Sequence, residues 1–153
     1  MSKYNQGNQH EQLVLDTWIK FSRANNTLNN IMRLNVEKQG LTISQFGVLE
    51  VLAHIGPLAL KDIGQKLLMT TSNLVTVIDN LVKQELVKRV PCDHDRRSII
   101  IHLTEKGKVF IEPIFKNHLE ALLNAFSALG EHQLKTLGSL SKDLGLQQTA
   151  KEK

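Results

Sequence analysis

Residues 60–81 read LKDIGQKLLMTTSNLVTVIDNL, and this stretch decides the fold. It reads as a short helix, a tight polar turn and a second helix. In the second helix Leu74, Val77, Ile78 and Leu81 recur at the i, i+3, i+4, i+7 spacing of a core-facing stripe. The other face holds Ser72, Asn73, Thr76 and Asn80. These side chains are short, uncharged and able to donate and accept hydrogen bonds. Such a face suits base edges in a DNA major groove better than salt bridges to solvent. The pattern predicts a helix-turn-helix with the second helix as reader.

The flanking residues frame this motif. Upstream, Thr42 and Gln45 have capping-box spacing for a helix over about 43–54, which Gly56-Pro57 breaks. Before it, a long helix over about 10–38 ends at Gly40. Its stripe of Val14, Trp18, Phe21, Leu28 and Met32 is widened by Leu15, Ile19, Ile31 and Leu34. That is too wide for one neighbour and predicts packing on a second copy. Gly64 lies inside the short helix, where it costs about 1 kcal/mol relative to Ala; close approach of the reader helix is the expected reason. Thr70 or Thr71 is placed to cap the reader helix, which runs to about 84. Downstream, Leu86, Val87, Val90 and Ile99 to Leu103 form β-branched-rich runs around PCDHDRRS, the pattern of a hairpin with a charged tip. Thr104 caps a helix over about 104–128 that contains Pro113, expected to bend it or break one backbone bond. After Gly130 a last helix spans about 131–145. Residues 1–9 are expected to be disordered, 10–147 to form a single domain, and 148–153 to be a polar tail.

Composition narrows the function classes. The 153 residues suffice for one domain with an aliphatic core. A net charge of +4 and a pI of about 9.3 favour a polyanionic partner. A single Cys excludes an internal disulfide, and neither a signal core nor a membrane-length apolar run occurs, so a cytoplasmic protein without membrane association is expected. There is no glycine-rich phosphate loop, nucleophile elbow or paired acid–base signature, which argues against an enzyme. No cofactor is expected.

A hairpin directly after a reader helix makes a winged helix. An arginine at a wing tip can enter an adjacent minor groove, and a nearby carboxylate can hold its guanidinium in place. Asp95 and Arg97 have that relationship. At this point the sequence resembles the MarR family of bacterial transcription regulators. The resemblance rests on GLTISQFGVLEVLAHIGPLALKDIGQKL, TTSNLVTVIDNLVKQELVKR and DHDRRSIIIHLTEKG, with the Asp-x-Arg of the wing and the Leu-Thr-x-x-Gly of Leu103, Thr104 and Gly107. It implies a mainly α subunit of six helices with a small β wing, forming a two-fold dimer. Residues 10–38 and 104–147 would supply the dimerisation helices and 43–103 the DNA-binding lobe. It further implies double-stranded DNA with a pseudo-palindromic operator as partner, and usually repression relieved by a small-molecule effector or stress signal. Carried over by position, Ser72, Asn73 and Thr76 would face bases, with Thr70 and Thr71 near the helix start. Arg97 would enter the minor groove steadied by Asp95, while Lys61, Lys88, Arg89 and Arg96 would meet phosphates.

The controlling signal is less legible. Cys92, at the start of the wing, could serve redox control if neighbouring positive charge lowered its pKa, but Asp93 and Asp95 offset His94, Arg96 and Arg97. Six scattered His and one Cys show no tetrahedral metal set, so no metal is expected. Trp18, Phe21, Phe46 and His54 are candidates for an effector pocket, although each also reads as core. A rival reading is a winged-helix protein-interaction module without DNA binding, which an acidic or bulky reader face would have favoured.

Overall fold

A computed structural model describes residues 8–91 and 99–151. The elements run α1 (Gln9–Glu37), α2 (Ile43–Ile55), β1 (Leu58–Ala59), α3 (Leu60–Leu67), α4 (Thr71–Lys83), β2 (Val87–Pro91), β3 (Ile99–Leu103), α5 (Glu105–Ala125) and α6 (Glu131–Lys151). The six expected helices and the wing strands are present. The sheet has a third strand that sequence reading missed. β1 pairs antiparallel with β3 through Leu58↔Ile101 and Ala59↔Ile100, and the order is β1-β3-β2. A two-residue strand is too short to show alternation. In the wing, the register runs from Val87↔Leu103 to Pro91↔Ile99.

The chain divides into two units, Met1–Ala121 and Leu122–Lys153. In the first, the core is aliphatic: Leu49 and Leu52 of α2, Ile63 of α3, Leu74, Ile78 and Leu81 of α4, Val87 and Ile101 of the wing, and Ile111 and Ile114 of α5. Of α1, only Met32 and Val36 near its C-terminal end are buried, and Val36 joins this core. Its N-terminal two-thirds keeps Leu13, Val14, Trp18, Ile19 and Phe21 exposed, Trp18 at 62%. In the second unit, α6 exposes Leu134, Leu137, Leu140 and Leu144. Helix α6 continues to Lys151, beyond the expected end near 145.

Helix starts follow the expected chemistry. Thr42 and Gln45 form a reciprocal capping box, at 3.2 Å and 2.9 Å. Asn8 and Glu11 form a second one that starts α1. Thr104 caps α5 by accepting the Gly107 N–H at 2.9 Å. The reader helix α4 departs from expectation: Thr70 holds the N-cap position, but its side chain makes no cap hydrogen bond. Its Oγ1 lies instead 3.5 Å from Ser72 Oγ.

Helix ends share one device. In the Schellman motif the second N–H past the helix reaches back five residues, with a left-handed residue between. Leu41 N–H donates to the Val36 carbonyl, Met69 N–H to Gly64 and Leu86 N–H to Leu81. The left-handed residues are Gly40, Leu68 and Glu85, with φ of 82°, 52° and 61°. Only the first is a glycine. Pro113 lies within α5, which remains a single helix from Glu105 to Ala125.

Candidate nucleic-acid interface

The reader face is built by burial of its opposite side. Leu74, Ile78 and Leu81 of α4 are almost wholly buried, and Ser72, Asn73, Thr76 and Asn80 are all exposed. The Thr76 hydroxyl donates to the Ser72 carbonyl one turn back at 3.2 Å, so its oxygen keeps only acceptor capacity for a partner. Ser72, Asn73 and Asn80 present both donors and acceptors. Because Thr70 does not cap α4, the first-turn N–H groups are left without a side-chain cap, where the helix dipole favours an anion.

Thr70, Thr71, Ser72, Asn73 and Thr76 share one exposed helix start, and Lys61 of α3 lines the trough beside Thr71. The expected phosphate contacts on β2 are placed differently. Arg89 is not free: its Nη1 lies 2.7 Å from Asp79 Oδ1 on α4, tying the wing strand to the reader helix. Lys88 is exposed and stands near Glu105. The Glu105 carboxyl is held below its usual range chiefly by its hydrogen bond to Lys108, with Lys88 adding a smaller pull. Cys92, Asp95, Arg96 and Arg97 lie outside the described residues, and the expectations about the wing tip lie there with them.

The joint between α4, the wing and α5 carries the Leu-Thr-x-x-Gly residues. The Thr104 hydroxyl donates to the Glu85 carbonyl at 2.6 Å, and the Thr104 N–H donates to the Leu86 carbonyl at 3.1 Å. Glu85 also meets Lys106 at 2.9 Å, and that hydrogen bond pulls its carboxyl below the usual range. Gly107 packs so tightly that a Cβ there would lie 2.0 Å from the Leu86 oxygen. Gly64 is the milder case. A Cβ there would stand 3.4 Å from the Met69 oxygen and 3.5 Å from Leu74 Cδ2. The reader helix does approach Gly64, but at ordinary contact distance, so the approach does not by itself require glycine.

A cavity of about 520 Å³ opens between α2, β3 and α5, lined by Glu50, His54, His102, Glu112 and Phe115 among others. The His54 ring stacks edge-on to Phe115 at 4.6 Å. Of the four expected pocket residues, His54 alone lines it. Phe46 is in the core, and Trp18 and Phe21 are exposed on α1. Deeper between α2 and α5, His118 is buried with its ring 4.5 Å from Phe46 and its Nδ1 without a partner. Burial pushes the His118 imidazole pKa down, and the Glu50 carboxylate partly opposes this. Among the described residues, no group of three His, Cys, Asp or Glu is placed to hold a metal. Nor is any helix among them long and apolar enough to cross a membrane.

Sequence reading missed Asp79 and Leu68. Asp79 matters through a partner ten residues away, which no local pattern announces. Leu68, in the turn between α3 and α4, is left-handed and 89% exposed.

Comparison with known proteins agrees with this architecture. A MarR family model matches residues 39–98, which span α2, the helix-turn-helix and β2. The HTH-type transcriptional regulator MhqR of Bacillus subtilis (strain 168) is 33% identical over 132 residues, covering 86% of this chain and 91% of that protein. Among solved structures, AbsC, a MarR family transcriptional regulator from Streptomyces coelicolor, superposes with a TM-score of 0.85 at 21% identity, over 95% of this chain and 99% of that one. Sco3205 of the same organism, another MarR family regulator, was solved in complex with DNA; it superposes at 0.81 with 24% identity over 91% of each chain. With a third of the aligned residues shared with MhqR along nearly the whole length of that regulator, and its helix-turn-helix and wing strands built as described, this chain belongs to the MarR family of transcriptional regulators.

Proposed function

We propose that the protein works in the cytoplasm as a homodimeric repressor that reads a pseudo-palindromic operator with α4 and releases it when a small-molecule effector binds. The observation that carries the reading is the division of α4: Leu74, Ile78 and Leu81 buried along one side, and opposite them an exposed row of Ser72, Asn73, Thr76 and Asn80. The DNA complex of Sco3205 supports DNA as the partner. In this reading Ser72, Asn73 and Thr76 meet base edges, while Thr70, Thr71 and Lys61 meet the backbone. Lys88 and Arg96 meet phosphates, and Arg97, beside Asp95, enters the minor groove. Phosphate contacts set position and base contacts set sequence. Arg89 acts mainly through Asp79, by holding the reader helix against the wing. Two reader helices in successive major grooves must stand about 34–36 Å apart. The exposed apolar stripes of α1 and of α6 are the surfaces we assign to the dimer. The cavity lined by His54 and Phe115 is the assigned effector site.

The test is binding of purified protein to an inverted-repeat duplex from its own promoter, followed across salt. Dimer binding with a steep fall of affinity as salt rises is expected. A flat salt response would refute the reading. Arg97→Ala is expected to weaken binding chiefly through the flanking minor groove; an unchanged flank preference would remove the wing from the interface.

A further inference from the structure

Two non-glycine residues, Leu68 and Glu85, hold left-handed backbone at helix ends. For Glu85 the neighbourhood accounts for the conformation. Its carboxylate pairs with Lys106 and its carbonyl accepts from Thr104, so the residue is held from both ends. Leu68 turns the chain in the Schellman motif that ends α3, where only backbone groups make the hydrogen bonds and a glycine would serve them as well. The Leu68 side chain is 89% exposed, the most exposed large apolar side chain among the described residues. The turn explains the backbone conformation but not the leucine: a residue with a side chain, displayed to water, stands where the hydrogen bonds call only for glycine. A non-glycine residue kept in this conformation with its side chain exposed points to function.

Its surroundings indicate the partner. Leu68 lines a trough of about 430 Å³ with Lys61, Gln65, Met69, Thr71 and Ile99. Among the described lining residues Lys61 is the one charged side chain, and none is acidic. Lys61 and Thr71 are backbone contacts in the reading above, on which this inference rests. DNA that meets both must pass along the trough that Leu68 also lines. Leu68 precedes the reader helix by three residues, so it falls outside the base-facing row. Between phosphates, the surface that a duplex backbone offers is the apolar C–H edge of deoxyribose. We infer that Leu68 is a DNA-contact residue whose side chain packs on a deoxyribose of the operator backbone, next to the phosphate met by Lys61.

The experiment compares wild type, Leu68→Gly and Leu68→Ala on two duplexes. One is selected by the wild type from a random-sequence pool, and the other is unselected and of equal length. Both variants are expected to bind about five- to tenfold more weakly, the loss of one partly buried leucine contact. The slope of log affinity against log salt should stay unchanged, because no phosphate contact is removed. The loss should be alike on both duplexes, since every sequence carries the same sugar. Leu68→Gly relieves the strain and should melt about 3 °C higher, while Leu68→Ala should not. Wild-type affinity in either variant would overturn the inference, as would a loss confined to the selected duplex. A wild type that binds neither duplex would overturn the DNA-binding reading, and the inference with it.

Discussion

Two glycines of this chain sit in unlike surroundings, and substitution separates them. At Gly107 the backbone of the first α5 turn lies against the Leu86 carbonyl, leaving 2.0 Å for a Cβ. Gly107→Ala must push α5 away from the end of α4, and we expect a loss of about 3 kcal/mol in urea unfolding. Gly64→Ala meets only ordinary contacts and gains helix propensity. It should be neutral or more stable by up to about 1 kcal/mol in the same measurement. His118 supplies a titration at the same scale. Its folded pKa lies below its unfolded value, because burial disfavours the imidazolium. The native state therefore binds fewer protons than the unfolded chain just below the ordinary imidazole value, about 6.5. Stability from this group is full above that value and is lost as pH falls through the lower folded value. Urea midpoints measured from pH 7.5 to 5 should fall with pH, and fall less steeply in His118→Phe. Equal slopes in the two proteins would show that His118 does not set the dependence.

Among the elements, α4 and β2 are coupled by one ion pair. The Arg89–Asp79 contact is partly exposed, so it adds at most about 1 kcal/mol to stability. Its importance is orientation, and Asp79→Asn tests that. If Arg89 serves to hold α4 against the wing, the substitution should weaken DNA binding and leave the salt slope unchanged. A freed Arg89 that meets phosphate would instead strengthen binding and steepen the slope by about one. The elements themselves were largely legible in the sequence. The buried stripe of α4, the capping box of Thr42 and Gln45 and the stop at Gly40 are local patterns, and local patterns fix helices. The ends of α3 and α4 were legible, but the left-handed turns at Leu68 and Glu85 were not, because neither residue is the glycine that signals such a turn. β1 was missed because two residues carry no period. The Arg89–Asp79 pair and the Gly107–Leu86 contact join distant parts of the chain and leave no local mark. The exposed polar face of α4 was legible as a helix face, whereas the contacts that tie it to the wing depend on tertiary structure and were not.

At the level of the molecule, the apolar residues left exposed on α1 are the surface assigned above to the proposed dimer. Leu13, Val14, Trp18, Ile19 and Phe21 of α1 make an exposed apolar stripe larger than scattered surface residues explain. Trp18→Lys places a charge on that stripe without touching the core of the first unit. We expect the variant to sediment as a monomer and to bind an inverted repeat at least about tenfold more weakly, since two half-sites are then no longer joined. Dimer mass retained in the variant would place the subunit contact elsewhere.

The joint at Thr104 bears on how a signal could travel. One hydroxyl receives the Gly107 N–H and donates to the Glu85 carbonyl, so the turn that closes the reader helix and the first turn of α5 are riveted together. Such a joint transmits torque and absorbs little of it. An effector wedged against α5 would therefore swing the reader as the blade of a rudder turns with its stock, whole and unbent. The amide protons of Leu86, Thr104 and Gly107 should then exchange with solvent equally slowly whether or not the effector is bound, while operator affinity changes.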